Sequence, residues 1–174
     1  MDAEPGSGPI LVEDAVEASL TFERFFDDTH VRLFRALYLV TGRTSDAEDL
    51  VQESFVKVWE RWDRVRSMES PEGYLFRVGM NVARSRRRRL ARAARLVTGR
   101  ADRDPFDEVD QRDAVVRALR ELPPRQRAAL ALTELLGYSA VEAAGILGVK
   151  PATARSLASL GRTALRRAME DDRA

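Results

Sequence analysis

Asp46, Asp49 and Glu53 recur at intervals of three or four in "SDAEDLVQESFVKVWERW", residues 45 to 62, a spacing that gathers carboxylates on one face of a helix. With Gln52 and Val56 they make a mixed acidic, amide and apolar surface, which suits contact with a protein better than pure solvation. Carboxylates so arranged accept charge-assisted, often bidentate hydrogen bonds from guanidinium groups. Asp46 and Glu48 also suit the positive end of a helix dipole. The chemistry then reverses. Between Asn81 and Arg103 stand nine arginines and one acid, Asp102. Arg77, Asn81, Arg84 and Arg88 share a helical face on which arginines can neutralise phosphates and asparagine can bond a base edge. One half is suited to a basic protein and the other to a polyanion.

The remaining composition excludes most other chemistry. The 174 residues contain no cysteine and one histidine, so there is no thiolate nucleophile, no disulfide framework and no Cys-type zinc site. His30, in "DDTHVRLF", reads as a surface or packing residue. No glycine-rich phosphate loop is present, so the chain is expected to be no enzyme and to need no metal or cofactor. The net charge of +1 hides the asymmetry: Met1 to Asp28 carries eight acids against one base, Arg24. No apolar run approaches a membrane span, and "MDAEPGSGPI" lacks the positive start of a signal peptide, so a cytoplasmic location is expected.

Helices must position these groups. Residues 1–18 read as a flexible acidic arm. From Phe22 apolar residues recur at helical spacing until Gly42. Ser45 and Glu48 have the spacing of a capping box for the acidic helix, whose buried stripe is Ala47, Leu50, Val51, Phe55, Val58, Trp59 and Trp62. Ser70–Pro71 opens a third helix running through the arginines, with Tyr74, Leu75, Val78 and Val82 packed inward. Residues 97–107, with Gly99 and Pro105, read as a linker, and four short helices follow to about residue 170. No stretch alternates with period two. The expectation is an all-α chain: one small domain over 19–96, a flexible linker, a second domain over 108–170 and a tail at 171–174.

"DAEDLVQESFVKVW", with "FERFFDDTHVRLFRALYLVTG" before it, resembles the second conserved region of the extracytoplasmic-function (ECF) sigma factors. The resemblance implies that Asp46, Asp49, Gln52, Glu53 and Val56 dock on the arginine-rich clamp helices of RNA polymerase's largest subunit. "SPEGYLFRVGMNVARSRRRR" resembles the promoter-melting segment, matching at Pro71, Tyr74, Leu75, Arg77 and Asn81. This implies −10 contacts from Arg77, Asn81, Arg84 and Arg88. It also implies contacts from Arg64, Arg66 and Ser67 in "DRVRSMESPE", where family members hold a flipped base. Gly79 and Met80 depart from the alanine and arginine common there, and glycine inside a helix costs about 1 kcal/mol relative to alanine.

"YSAVEAAGILGVKPATARSLASLGRTALRR" has the pattern of a helix-turn-helix, with Ala144 at the helix crossing, Gly148 in the turn and Val149 as plug. After "LRELPPRQRAALAL" it resembles the fourth region of sigma factors, which reads the −35 element. The resemblance implies DNA contacts from Lys150, Thr153, Arg155, Ser156, Ser159 and Arg162, with Arg166 and Arg167 as further phosphate partners. Leu157 and Leu160 replace polar residues of many relatives, which should weaken −35 binding and flatten its salt dependence. "SLASLG" is closest to the SigE-like subgroup. The implied partners are core RNA polymerase (clamp helices and the flap of the second-largest subunit), promoter DNA and an anti-sigma factor. In holoenzyme the protein would be nucleoid-associated. The alternative is a stand-alone helix-turn-helix regulator that needs no polymerase.

Overall fold

The computed structural model describes residues 10–98 and 114–171, and every element among them is helical. In chain order these are α1 (Ile10–Thr41), α2 (Thr44–Trp59), α3 (Trp62–Val65), α4 (Pro71–Thr98), α5 (Ala114–Arg120), α6 (Pro124–Leu130) with a π-helical turn over Ala131–Leu135, α7 (Ala140–Leu147) and α8 (Pro151–Asp171). Two boundaries differ from expectation. α1 begins at Ile10, inside the stretch read as an arm, and α4 continues to Thr98, past the expected start of the linker. The rest of that linker, 99–107, and residues 1–9 lie outside the described residues.

α1, α2 and α4 pack as a bundle around Leu33, Leu37, Leu50, Val58, Leu75 and Phe76, all fully buried. α4 can approach α1 and α2 closely because residue 79 is glycine. A Cβ there would stand 3.0 Å from Leu33 Cδ1 and 3.4 Å from Ser54 Oγ. The helix cost of that glycine is thus exchanged for packing distance.

Capping is redistributed relative to expectation. α2 starts two residues early, with Arg43 at its cap position and no side-chain cap bond, so Ser45 and Glu48 form no capping box. The box is formed by Ser139 and Glu142 instead: the Glu142 amide donates to Ser139 Oγ (3.2 Å) and the Ser139 amide to Glu142 Oε2 (2.7 Å). Ser70 behaves as expected, its Oγ accepting from the Gly73 amide at 3.1 Å. Ser139→Ala should cost about 1 kcal/mol of stability, measurable by urea titration. These bonds hold the Glu142 carboxyl below its usual range. Its contribution is therefore present above the unfolded carboxylate pKa and lost as pH falls through the folded value.

The helix-turn-helix forms as expected. α7 ends at Gly148, whose φ of 67° is the left-handed turn between α7 and α8.

The two halves of the chain share their interior. Ala128, Leu132, Ala143 and Ile146 from the second half belong to the same apolar cluster as the α1–α2–α4 core. Leu39 of α1 in turn packs with Leu119, Leu122 and Leu130. Polar contacts follow the same seam. Arg127 is only 2% exposed and donates to the carbonyls of Val40 (2.7 Å), Arg120 (3.0 Å) and Leu122 (3.1 Å). Arg120 donates to Thr41 O at 2.6 Å. The last carbonyls of α1, which no further helical turn can satisfy, are thus bonded by guanidiniums of the other half. At the far end of the seam Tyr138 lies edge-on to Phe76 at 5.4 Å, with Arg32 above its ring and paired to Glu72. Burial, with the Glu72 carboxylate nearby, holds the Tyr138 phenol far above its usual pKa.

Candidate functional site

α2 presents its outer face beside α1. Phe22, Phe25, Phe55 and Trp62 form an aromatic cluster with ring centroids 5.0 to 6.4 Å apart. Above it a groove of about 640 Å³ runs between the helices, lined by Phe26, Val31, Phe34, Gln52, Val56 and Trp59 among others. Val56 is 52% exposed and Trp59 49% exposed. Trp59 is therefore not the core residue its spacing suggested. It stacks edge-on against Phe22 at 4.7 Å and leaves half its surface on the groove wall. His30 lies along the same wall, stacked on Phe26 at 4.8 Å with Nδ1 3.1 Å from Phe26 O. That is a packing role, as expected.

Glu48 is the one acid among the described residues lining this groove. The acidic ridge formed by the carboxylates of Asp46, Asp49 and Glu53, elsewhere on α2, is partly neutralised from within. Arg86 of α4 bonds Asp49 through both terminal nitrogens at 3.1 Å and reaches Asp46 at 3.0 Å. Asp46 is further held by Arg43 at 3.6 Å and keeps only 14% of its side chain exposed. Glu53 pairs with Lys57 at 3.6 Å. Asp49, 62% exposed at its side chain, and Gln52 and Val56 remain accessible, so the outward part of the ridge is Asp49–Gln52–Val56 and Asp46 acts mainly inward. Sequence reasoning missed Arg86. It stands half a turn around α4 from Arg77 and Arg88, a position that places it over α2 and not with the other arginines.

On α4, Leu75 and Val82 are buried and Tyr74 and Val78 partly so, as expected, but Phe76 is also fully buried. Arg77 and Asn81 are exposed, and Arg84 donates to Asn81 Oδ1. Arg84 and Arg88 border a cavity against the second half of the chain. The preceding loop is ordered locally: Ser67 Oγ donates to Arg64 O at 2.9 Å and Arg66 pairs with Asp63 at 3.3 Å. Lys150, Thr153, Arg155, Ser156, Ser159 and Arg162 are all exposed along α8, opposite the buried Ala154 and Ala158. Arg162 pairs with Glu134 at 3.2 Å. Leu160 is 56% exposed, whereas Leu157 turns toward the cavity shared with α4. Among the described residues no acidic, histidine or cysteine cluster could hold a metal. No helix among them is long and apolar enough to cross a membrane.

The family model for sigma-70 region 2 matches residues 25–93, and that for sigma-70 region 4 matches residues 112–165. Together they span most of the chain in the expected order, and the similar curated proteins include several ECF RNA polymerase sigma factors. This chain belongs to the ECF sigma factors. The ECF RNA polymerase sigma factor SigE of Mycolicibacterium smegmatis is 34% identical over 149 residues, covering 78% of this chain and 56% of its own length. SigM of Mycobacterium tuberculosis is 28% identical over 166 residues, covering 94% of this chain and 85% of its own. The chain thus spans little more than half of SigE and most of SigM, so the relatives fix the ECF group and not the SigE-like subgroup. Among solved structures, the sigma factor RpoE of Bartonella quintana, in complex with the anti-sigma factor NepR, has a TM-score of 0.75 at 24% identity, covering 86% of this chain and 97% of that one. CnrH in complex with the cytosolic domain of CnrY has a TM-score of 0.65 at 26% identity, covering 91% of this chain and 96% of its own. In this ECF sigma factor the region 2 match falls on α1–α4 and the region 4 match on α5–α8, and the two halves take those names.

Proposed function

We propose that this ECF sigma factor binds core RNA polymerase and directs promoter-specific initiation. The observation that carries the reading is one chain holding an exposed apolar–acidic groove on region 2 and two exposed cationic helix faces, one on α4 and one on α8. A stand-alone regulator would have no use for the first of these. The groove between α1 and α2, lined by Glu48, Gln52 and Val56, receives the clamp helices together with Asp49 and Glu53 of the same helix. A smaller groove on region 4, with Leu130, Leu135, Leu165 and Met169 between the charged Glu134, Arg162, Arg166 and Glu170, is the counterpart for the flap. α4 captures the opened −10 strand and α8 enters the −35 major groove, both through arginine and hydroxyl contacts.

The seam sets a condition on this activity. The −10 and −35 elements are about 25 base pairs apart, or roughly 85 Å at 3.4 Å per pair, whereas Arg88 and Leu157 border the same cavity. Both elements can be engaged only after regions 2 and 4 separate. An anti-sigma protein that holds them together would keep the factor inactive, and we propose such a partner. The protein is expected to work in the cytoplasm, nucleoid-associated once in holoenzyme.

Run-off transcription on genomic fragments with sigma-depleted core polymerase tests the whole reading. Discrete transcripts should appear only when this protein is added, and tight duplex binding by the protein alone would favour the regulator instead. At finer grain, Asn81→Ala should slow open-complex formation at least tenfold with closed-complex affinity changed less than threefold. Permanganate reactivity of promoter thymines reports it.

A further inference from the structure

The seam between α4 of region 2 and α6–α8 of region 4 encloses a cavity of about 240 Å³. Guanidiniums enter its wall from both sides: Arg84, Arg87 and Arg88 from α4, and Arg125 and Arg127 from α6. None of the described residues lining it is acidic. Arg86, one residue before Arg87, is by contrast matched to the carboxylates of Asp46 and Asp49. Arg127 is occupied with backbone carbonyls and Arg84 with Asn81. Arg87, Arg88 and Arg125 make no hydrogen bond or ion pair with any described residue. Closing the two regions therefore converges like charges around a space to which no described residue supplies a counter-ion.

From this convergence we infer that the cavity is a binding site for a polyphosphate group, free or carried by a nucleotide. Three features select that chemistry. Guanidinium forks from two directions match the multiple oxygens of linked phosphates, which one carboxylate would not satisfy. Met80, Leu147, Val149 and Leu157 supply an apolar wall that limits water and strengthens charge pairing. The volume lies below the range of drug-sized pockets, so it admits a phosphate chain while a base would rest at the rim. Because the arginines come from both regions, the ligand stabilises the closed arrangement. It also occupies Arg84 and Arg88, groups we assign to promoter DNA, so it should compete with the −10 strand. The site itself requires neither polymerase nor DNA.

The test uses the full chain alone. Inorganic tripolyphosphate and adenosine triphosphate, each without magnesium, are titrated calorimetrically at fixed ionic strength, with sulfate as control. Saturable binding of one per chain is expected, together with an increase in thermal transition temperature. Arg87→Ala with Arg125→Ala should weaken it at least tenfold. Arg89→Ala with Arg92→Ala, which removes equal charge from exposed positions of α4 outside the cavity, should change it less than twofold. If the first double variant is not folded by circular dichroism, Arg125→Gln alone, on an exposed position of α6, should still weaken binding severalfold. Equal affinities for the two ligands identify the phosphate chain as the recognised group, and tighter nucleotide binding adds the base. No binding, a sulfate response equal to that of tripolyphosphate, or equal loss in both double variants overturns the inference.

Discussion

Val56→Arg should lower affinity for core RNA polymerase by about thirtyfold or more while leaving the melting temperature within about 2 °C of the parent. Val56 is half exposed beside the α1–α2 groove and rests on no region 4 residue. A hot-spot residue at the centre of a protein interface costs about 2 kcal/mol or more when lost, a factor of about 30 in affinity. The replacement adds to that loss by placing a cation opposite the arginine-rich clamp helices that the family resemblance implies. Its cost to the fold should be small, since exposed substitutions usually stay within about 0.5 kcal/mol. A positive charge near the end of α2 is also favoured by the helix dipole. Fluorescence anisotropy of labelled sigma with core polymerase measures the binding, and calorimetry the fold. Parent-like affinity would remove the groove from the polymerase interface.

Arg127→Ala should act on the opposite property. The side chain is almost wholly buried and serves three carbonyls, two in region 4 and one at the end of α1. Leaving a buried acceptor unsatisfied costs about 1–3 kcal/mol each, less where water enters. A loss of about 3 kcal/mol is expected. At roughly 2–4 °C per kcal/mol for a chain of this size, the transition should fall by about 6–12 °C. Arg127→Lys should recover less than half of this, because one ammonium cannot span carbonyls that a planar fork reaches together. A transition unchanged in either variant would mean that the seam is held by its apolar contacts alone.

Arg127 also marks where sequence reasoning stops. In "PRQRAALAL" it reads as one more exposed cation, and Val40, whose carbonyl it meets, is 87 positions away. Periodicity was enough for the helices, the stripe through Leu50, Phe55 and Val58, the cap at Ser70 and the turn at Gly148. Each of these depends on neighbours within one or two turns. It failed where a distant element decides. Trp59 has core spacing, but no helix covers its outer half. Ser45 has the capping-box pattern, but α2 begins at Thr44, ahead of it. Gly79 runs against helix propensity, and its reason, the close approach of Leu33 and Ser54, lies on other helices. For the site residues, the sequence located the acidic ridge and both cationic faces. It could not show that Arg86 engages Asp46 and Asp49, or that Arg84 and Arg88 border region 4.

Continuity of the apolar interior across regions 2 and 4 has a practical corollary. Ala128, Leu132, Ala143 and Ile146 share their apolar cluster with residues of the first half, and α1 and α4 are the helices that pack against that side. Either half produced as a separate fragment would present a greasy surface to water and should self-associate. Handling this protein in pieces therefore calls for a solubilising fusion or compensating polar substitutions on the bared surface.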